Sequence, residues 1–355
     1  MPTEAGSDAL TPQHTARRTL RLALGSSLSL LISQLLALPL SFLMPLLTMV
    51  LLMSPMPAPN LKKAIVIFAA LLLPTLISMA ILMPLFEISK GAALLLLLPA
   101  WFGCFYFSAK GGAPVIGLLM SLGLALVIAI GSVNISAMQL VAQSLAISAA
   151  LGIAMVMVAH ALLPDQCSPP ATQPADHTAE TNLDTIRQRA LRPLLIVFPV
   201  VIFCLFSSNS MAYLPLMLKT ASMGQQASSA DTRNMARALL ASTLWGGLLA
   251  LIGWQLLTIW PSLLLYTLFI AIVCCLIGPK IFADHTASAE MWNYALITML
   301  VILAPSLTDS LTSDSASHTF YSRLLLFIAI ALYGMAASRL VTSFATVQLI
   351  PRFAR

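Results

Sequence analysis

The chain has 355 residues, of which 59% are apolar and only 8% are charged. Soluble globular proteins carry about 25% charged residues, so this composition excludes an ordinary soluble enzyme or binding domain. The formal net charge of +6 does not require a nucleic-acid partner, because the positive side chains flank apolar segments, where they act as membrane-topology signals.

Apolar segments of membrane-spanning length recur along the chain. A helix needs roughly 20 mostly apolar residues to cross a hydrocarbon layer of about 30 Å, and the sequence lacks the alternating pattern of a transmembrane barrel. The predicted fold is therefore all-α, a polytopic membrane protein with about 12 (10–12) transmembrane helices, its contacts being chiefly with the lipid bilayer. The predicted spans are 20–38, 40–56, 64–86, 91–109, 113–131, 138–162, 193–209, 211–223, 238–257, 260–279, 291–308 and 323–347.

A polar linker divides these segments into two halves. The stretch "PDQCSPPATQPADHTAETNLDTIRQRA" is rich in Pro, Thr, Ala and acidic residues and has no apolar periodicity, which is typical of a connector. The basic flank "ARRTLR" precedes an apolar run that is expected to be an uncleaved first span. The predicted division is a disordered cytoplasmic N-terminus (1–16), a first transmembrane half (17–162), a cytoplasmic linker (163–191), a second transmembrane half (192–347) and a cytoplasmic tail (348–355).

Two predicted spans contain residues that disfavour a simple crossing. The segment 40–56 has prolines in and beside it, and the short segment 211–223 contains a proline and Lys219. Either could be a broken or re-entrant helix covered by protein or by a water-filled cavity. A full crossing at 211–223 is preferred, because it keeps Arg233 and Arg237 on the cytoplasmic side.

The distribution of Lys and Arg predicts the orientation. With the N-terminus in the cytoplasm, all 18 Lys and Arg residues except Lys90 and Arg323 fall on the cytoplasmic side, as expected for a multi-pass protein whose two termini are both cytoplasmic. The basic residues at the starts of the third and ninth spans are first of all orientation signals. As a second role, they are expected to draw an anionic substrate to the inner mouth; they are Lys62, Lys63, Arg233 and Arg237.

The two halves also share polar residues at a constant offset. Six spans in each half, an even number, would make a parallel repeat, related by an axis along the membrane normal. The alternative is that any two halves of a membrane protein share basic inner loops. The matches at an offset of 174 residues are Arg18 with Arg192, Asn60 with Asn234, Lys63 with Arg237 and Ala64 with Ala238.

Several stretches resemble the fusaric-acid-resistance and aromatic-acid-exporter (FUSC-type) family of bacterial inner-membrane proteins. They are "LLALPLSFLMPLLTMVLLMSPMPAPNLKKA", "KGGAPVIGLLM", "AHALLPD" and "ARALLASTLWGGLLALIGWQLL". The resemblance implies two six-helix halves in the bacterial inner membrane, export of small aromatic or amphipathic organic acids, and a periplasmic adaptor of the membrane-fusion type as partner. The short linker departs from members with a large cytosolic domain and is more similar to the short branch of unknown function.

A transport mechanism would need ionisable or polar groups within the membrane. The chain has no G-x-x-x-x-G-K-[ST] loop, so coupling is expected to come from a proton or ion gradient and not from ATP hydrolysed by this subunit. The candidates for substrate binding or coupling are Arg339, Arg323, Asp309, Glu87, Gln139, Gln143 and Gln255. Each has an alternative role, as an interfacial residue, a snorkelling cation or a helix–helix hydrogen-bonding group.

Three functions remain open from the residues alone. Proton-driven export of organic anions is the first, and a non-transport scaffold subunit of an envelope complex is the second. A lipid-modifying enzyme ranks last. It would need a cluster of His, Asp or Glu at one interface, and the residues that approach this, Asp284, His285 and Glu290, lack the spacing of a catalytic motif. No enzyme activity is predicted. The five cysteines show no metal-ligand spacing with His, so neither a metal site nor a cofactor is predicted. A homo-oligomer is a further expected assembly.

Overall fold

The computed structural model describes residues 12–54, 59–131, 135–164, 183–206, 214–229, 232–282, 287–310 and 316–349. These residues form twelve helices and no strand. The helices are α1 (Pro12–Leu35), α2 (Leu43–Met53), α3 (Leu61–Ile88), α4 (Lys90–Ala109), α5 (Pro114–Gly131), α6 (Ile135–Leu162), α7 (Leu183–Phe206), α8 (Leu214–Ser229), α9 (Thr232–Ile259), α10 (Leu263–Phe282), α11 (Ala287–Ser310) and α12 (Ala316–Leu349).

Eight of the described helices are long and apolar enough to cross a membrane. They are α3, α4, α6, α7, α9, α10, α11 and α12. The prediction of an all-α, multi-pass membrane protein is confirmed at this level, and the number of crossings stays a prediction. Helix α1 begins within the predicted N-terminal tail, and α7 begins within the predicted linker, because an apolar run marks the membrane-embedded part of a helix and not its polar extension.

Helix α2 is much shorter than its predicted span, 40–56. It has only 11 residues, so it extends about 16 Å, roughly half the thickness of the hydrocarbon layer. All of its residues are buried against other helices. This geometry favours the broken-helix alternative for segment 40–56. The polar backbone groups at its ends are tolerated because protein surrounds them.

Small residues allow the helices to approach closely. In α9, Gly246 faces α11, where a Cβ atom would lie 2.6 Å from the carbonyl oxygen of Ala295 and 2.7 Å from Cβ of Thr298. Helices α1 and α10 meet where Gly278 packs against Thr19. Such contacts replace the hydrophobic driving force, which does not act between helices surrounded by lipid.

The helix ends define what we call the basic end of the bundle, where α1, α3 and α5 begin and α2, α4, α6 and α10 end. The guanidinium of Arg18 lies 3.4 Å from the carbonyl oxygen of Ser54, just after α2, and 4.4 Å from the ring centroid of Phe282, the last residue of α10. The basic end also carries Lys62, Lys63 and Lys110.

Candidate functional site

A cavity of about 360 Å³ lies at the basic end of the first half. Its volume is within the range of about 300–1,000 Å³ that small-molecule sites occupy. Four helices enclose it, because α2 and α6 end there and α3 and α5 begin there. The lining residues are Leu51, Pro59, Lys62, Lys63, Val66, Ile67, Ile116, Ile153, Val156 and His160.

The cavity has an apolar wall and a positively charged rim. Ile67, Ile153 and Val156 are buried, whereas the side chains of Lys62 and Lys63 are exposed in the first turn of α3. That turn contains no acidic residue, so the two ammonium groups add to the partial positive charge of the helix N-terminus. Within the part of the chain that the structure describes, neither lysine has an ion-pair partner. The rim is therefore suited to an anion.

His160 places an imidazole in the wall of the same cavity. Its side chain is buried, and Nδ1 lies 2.8 Å from the carbonyl oxygen of Val156, one turn earlier in α6. A carbonyl oxygen only accepts hydrogen bonds, so Nδ1 must carry the proton in this contact. The other ring nitrogen, Nε2, is then the atom that gains or loses a proton when the imidazole changes charge.

A second polar centre lies in the other half, where Lys219 of α8 is buried. Its side chain is 1% exposed, and Nζ donates a hydrogen bond of 2.7 Å to Oγ1 of Thr298 on α11. The Thr298 hydroxyl in turn donates to the carbonyl oxygen of Tyr294 at 2.7 Å. Because a hydroxyl has one proton, Thr298 is held as the acceptor for Lys219.

The surroundings of Lys219 make it an energetically costly residue. A buried ammonium group loses several kcal/mol of hydration, and one hydroxyl partner offsets only part of this loss. In the described residues no carboxylate pairs with it. The sequence did not single out Lys219 as a functional candidate, because Lys219 was counted among the cytoplasmic Lys and Arg residues. Its place in a short, Pro-containing segment only raised the alternative of a broken or re-entrant helix.

Of the predicted inner-mouth residues, Lys62 and Lys63 reach the cavity, whereas Arg237 is exposed at the start of α9 in the second half. The side chain of Arg233 lies outside the described residues. Arg237 and the cavity therefore belong to different halves, and the structure does not bring all four basic residues together.

Among the ionisable coupling candidates, Arg323 and Arg339 of α12 are described, whereas the side chains of Glu87 and Asp309 lie outside the described residues. Arg323 donates a hydrogen bond from Nη1 to Oγ of Ser306 at 3.4 Å. Arg339 is exposed on the surface of the bundle. Neither arginine lines the cavity.

The three glutamine candidates lie on the outside of the bundle. Gln139 and Gln143 are exposed on α6, whereas Ser144 and Ser148 of the same helix are buried. The polar side chains of α6 are thus divided between an outer and an inner face of the helix. Gln255 of α9 is also exposed and donates from Nε2 to the hydroxyl oxygen of a tyrosine on α12 at 3.2 Å.

Residues 18–159 match the model of a family described as proteins of unknown function (DUF2955). The matched region runs from α1 to the end of α6 and contains most of the cavity lining, including both lysines of its rim. No curated protein and no solved structure matches the chain. Within the described residues, no cluster of His, Cys, Asp and Glu is placed to hold a metal ion.

Proposed function

We propose that the protein is a secondary transporter that exports small amphipathic or aromatic organic acids across the bacterial inner membrane. The observation that carries this proposal is the cavity at the basic end, which combines an apolar wall with a cationic rim that has no ion-pair partner among the described residues. An aromatic carboxylic acid has the matching chemistry, because its ring is apolar and its carboxylate is anionic. Mostly apolar pockets with a few placed polar groups are typical of small-molecule sites.

The proposed direction of transport follows from the positive-inside rule. Lys62, Lys63 and Lys110 lie at the basic end, and loops rich in Lys and Arg usually face the cytoplasm. The cavity would then open towards the cytoplasm and take up its substrate there. In this proposal the proton gradient drives export, both termini are cytoplasmic, and a periplasmic adaptor continues the path beyond the membrane.

We further propose that the chain is a parallel repeat of two six-helix halves that make about twelve crossings. The helix contacts support this. Helix α3 packs against α5 as α9 packs against α11, and α2 packs against α6 as α8 packs against α12. The contacts between the halves are duplicated in the same way. The contact of α1 with α10 corresponds to the contact of α7 with α4, and the contact of α2 with α11 corresponds to the contact of α8 with α5. Such exchanged contacts are expected if a two-fold axis relates the halves, and the family match ends where the first half ends.

Neutralising the rim is expected to reduce export. In the double variant Lys62→Gln, Lys63→Gln, the substrate would lose charge-assisted contacts of about 1.5–3 kcal/mol, equivalent to a roughly 10- to 100-fold weaker affinity. A deletion strain carrying this variant should be sensitised to the same aromatic carboxylic acids as the empty strain. Efflux of each such acid would be followed with and without a protonophore, which should abolish it in cells with the wild-type protein.

Lys110→Gln is the matched control, because Lys110 lies at the same end of the bundle but outside the cavity lining. It should retain resistance and efflux, and both variants should be present in the membrane in the wild-type orientation. Equal export by the double variant and the wild type would contradict the role of the rim. If the deletion strain is sensitive to no acid in the panel, the alternative of a non-transport scaffold subunit of an envelope complex is favoured.

A further inference from the structure

We infer that the outward face of α6 around Gln139 and Gln143 binds the same face of a second copy of this chain. Both glutamines are exposed on a helix that is long and apolar enough to cross a membrane from Gln139 to Leu162. Their neighbours on the exposed surface are apolar, since Leu140 is 53% and Ile147 is 48% exposed. Two amides thus interrupt a surface that otherwise suits lipid.

Neither amide has a hydrogen-bond partner within the described chain. A glutamine side chain has two N–H donors and an acceptor oxygen, and leaving these groups unsatisfied in hydrocarbon is unfavourable. Gln139 is close enough to the start of α6 to reach the interface. Gln143 lies four residues into the segment that can cross a membrane, Gln139–Leu162, about 6 Å along the helix axis, and so depends more strongly on a partner in the membrane.

Gln255 shows how the same side chain is accommodated elsewhere on this surface. It is also exposed, but its amide donates a hydrogen bond to the hydroxyl of Tyr321 on α12 at 3.2 Å. A neighbouring helix of the same chain therefore supplies its partner. No helix in the described part of the chain supplies a corresponding partner for Gln143, so in this inference the partner comes from another molecule.

A second copy of the chain can supply hydrogen-bond partners for the amide groups on this face of α6. Two copies that share one orientation in the membrane are related by an axis along the membrane normal, so their α6 helices run parallel and equal residues meet at equal depth. The amide group is both donor and acceptor, so Gln143 of one copy can pair with Gln143 of the partner subunit. Along the same face, exposed Ala150 and Ala154 are four residues apart, a small-residue spacing that lets two helices approach closely.

The inference is tested by measuring self-association of the full-length protein in lipid bilayers at defined protein-to-lipid ratios, for example by single-molecule photobleaching. The wild type is expected to form dimers. Gln139→Leu, Gln143→Leu should weaken dimerisation by about tenfold or more, in line with interhelical amide hydrogen bonds. Gln255→Leu makes the same chemical change at a position with a partner in its own chain, and it should leave dimerisation unchanged.

Cross-linking locates the interface independently. In a variant whose exposed Cys275 and linker Cys167 are both replaced by serine, Ile147→Cys should give a disulfide-linked dimer. Ile272→Cys, at a position that is 49% exposed on α10, should not. A wild-type protein that stays monomeric at every protein-to-lipid ratio would overturn the inference. So would a dimer that links through position 272 and not 147, or one that Gln255→Leu weakens as much as the double variant does. None of these outcomes depends on whether the protein transports a substrate.

Discussion

Replacing Thr298 with valine is expected to destabilise the protein by about 3 kcal/mol, because it removes the only hydrogen-bond partner of the buried Lys219 ammonium group in the described chain. Valine keeps the shape of threonine, so the packing between α8 and α11 should change little. The measurement is the fraction of folded protein in detergent as temperature or denaturant concentration is raised.

Lys219→Met provides the second arm of a double-mutant cycle. Removing the buried charge together with its partner should recover most of the stability lost in Thr298→Val, and Lys219→Met alone should be neutral or more stable. If the double variant is as unstable as the sum of the two single variants, the hydrogen bond does not couple the two residues. A residue kept at such a cost is expected to serve activity, so Lys219→Met should fold and yet fail to restore efflux.

Gly246→Ala is expected to destabilise the protein by about 2 kcal/mol, within the range for overpacking a close contact. The added methyl group would lie 2.6 Å from the carbonyl oxygen of Ala295, and a backbone atom of a neighbouring helix cannot rotate away. Helices α9 and α11 would have to separate, and theirs is the most extensive helix contact in the described structure. The same separation would disturb Thr298, whose Cβ lies 2.7 Å from the new methyl position.

Gly103→Ala is the matched control, because it makes the same substitution within helix α4. There, apart from the neighbouring backbone of α4 itself, no atom of the described residues lies within 4 Å of the added group. There alanine should stabilise the protein slightly, by roughly 0.5–1 kcal/mol, through its higher helix propensity. Thermal unfolding of both variants under identical conditions checks the contrast. Similar shifts for the two variants would show that the α9–α11 contact is loose enough to admit a methyl group.

The candidate cavity was only partly predictable from the sequence. Lys62 and Lys63, which line the cavity, could be chosen as candidates from the sequence, because charged side chains are scarce and their position at the start of an apolar run is a topological signal. His160 follows them by almost a hundred positions, and only the packing of α6 against α3 and α2 places it in the same wall. The glutamine candidates were chosen for their polarity, which does not indicate the face of the helix that carries them, and the structure places all three on the outside of the bundle.

The sequence by itself determined the class of the protein and the positions of the apolar parts of its long helices. The predicted span at 91–109, for example, corresponds closely to α4 (Lys90–Ala109), because a long apolar run has no stable state in water and forms a helix in lipid. Only the tertiary structure decided that α2 is short and fully buried, that Lys219 lies inside the bundle, and that Gln143 faces outwards. The physical reason is that lipid and protein interior are both apolar, so hydropathy locates a segment in the membrane but does not indicate which of its faces meets other helices.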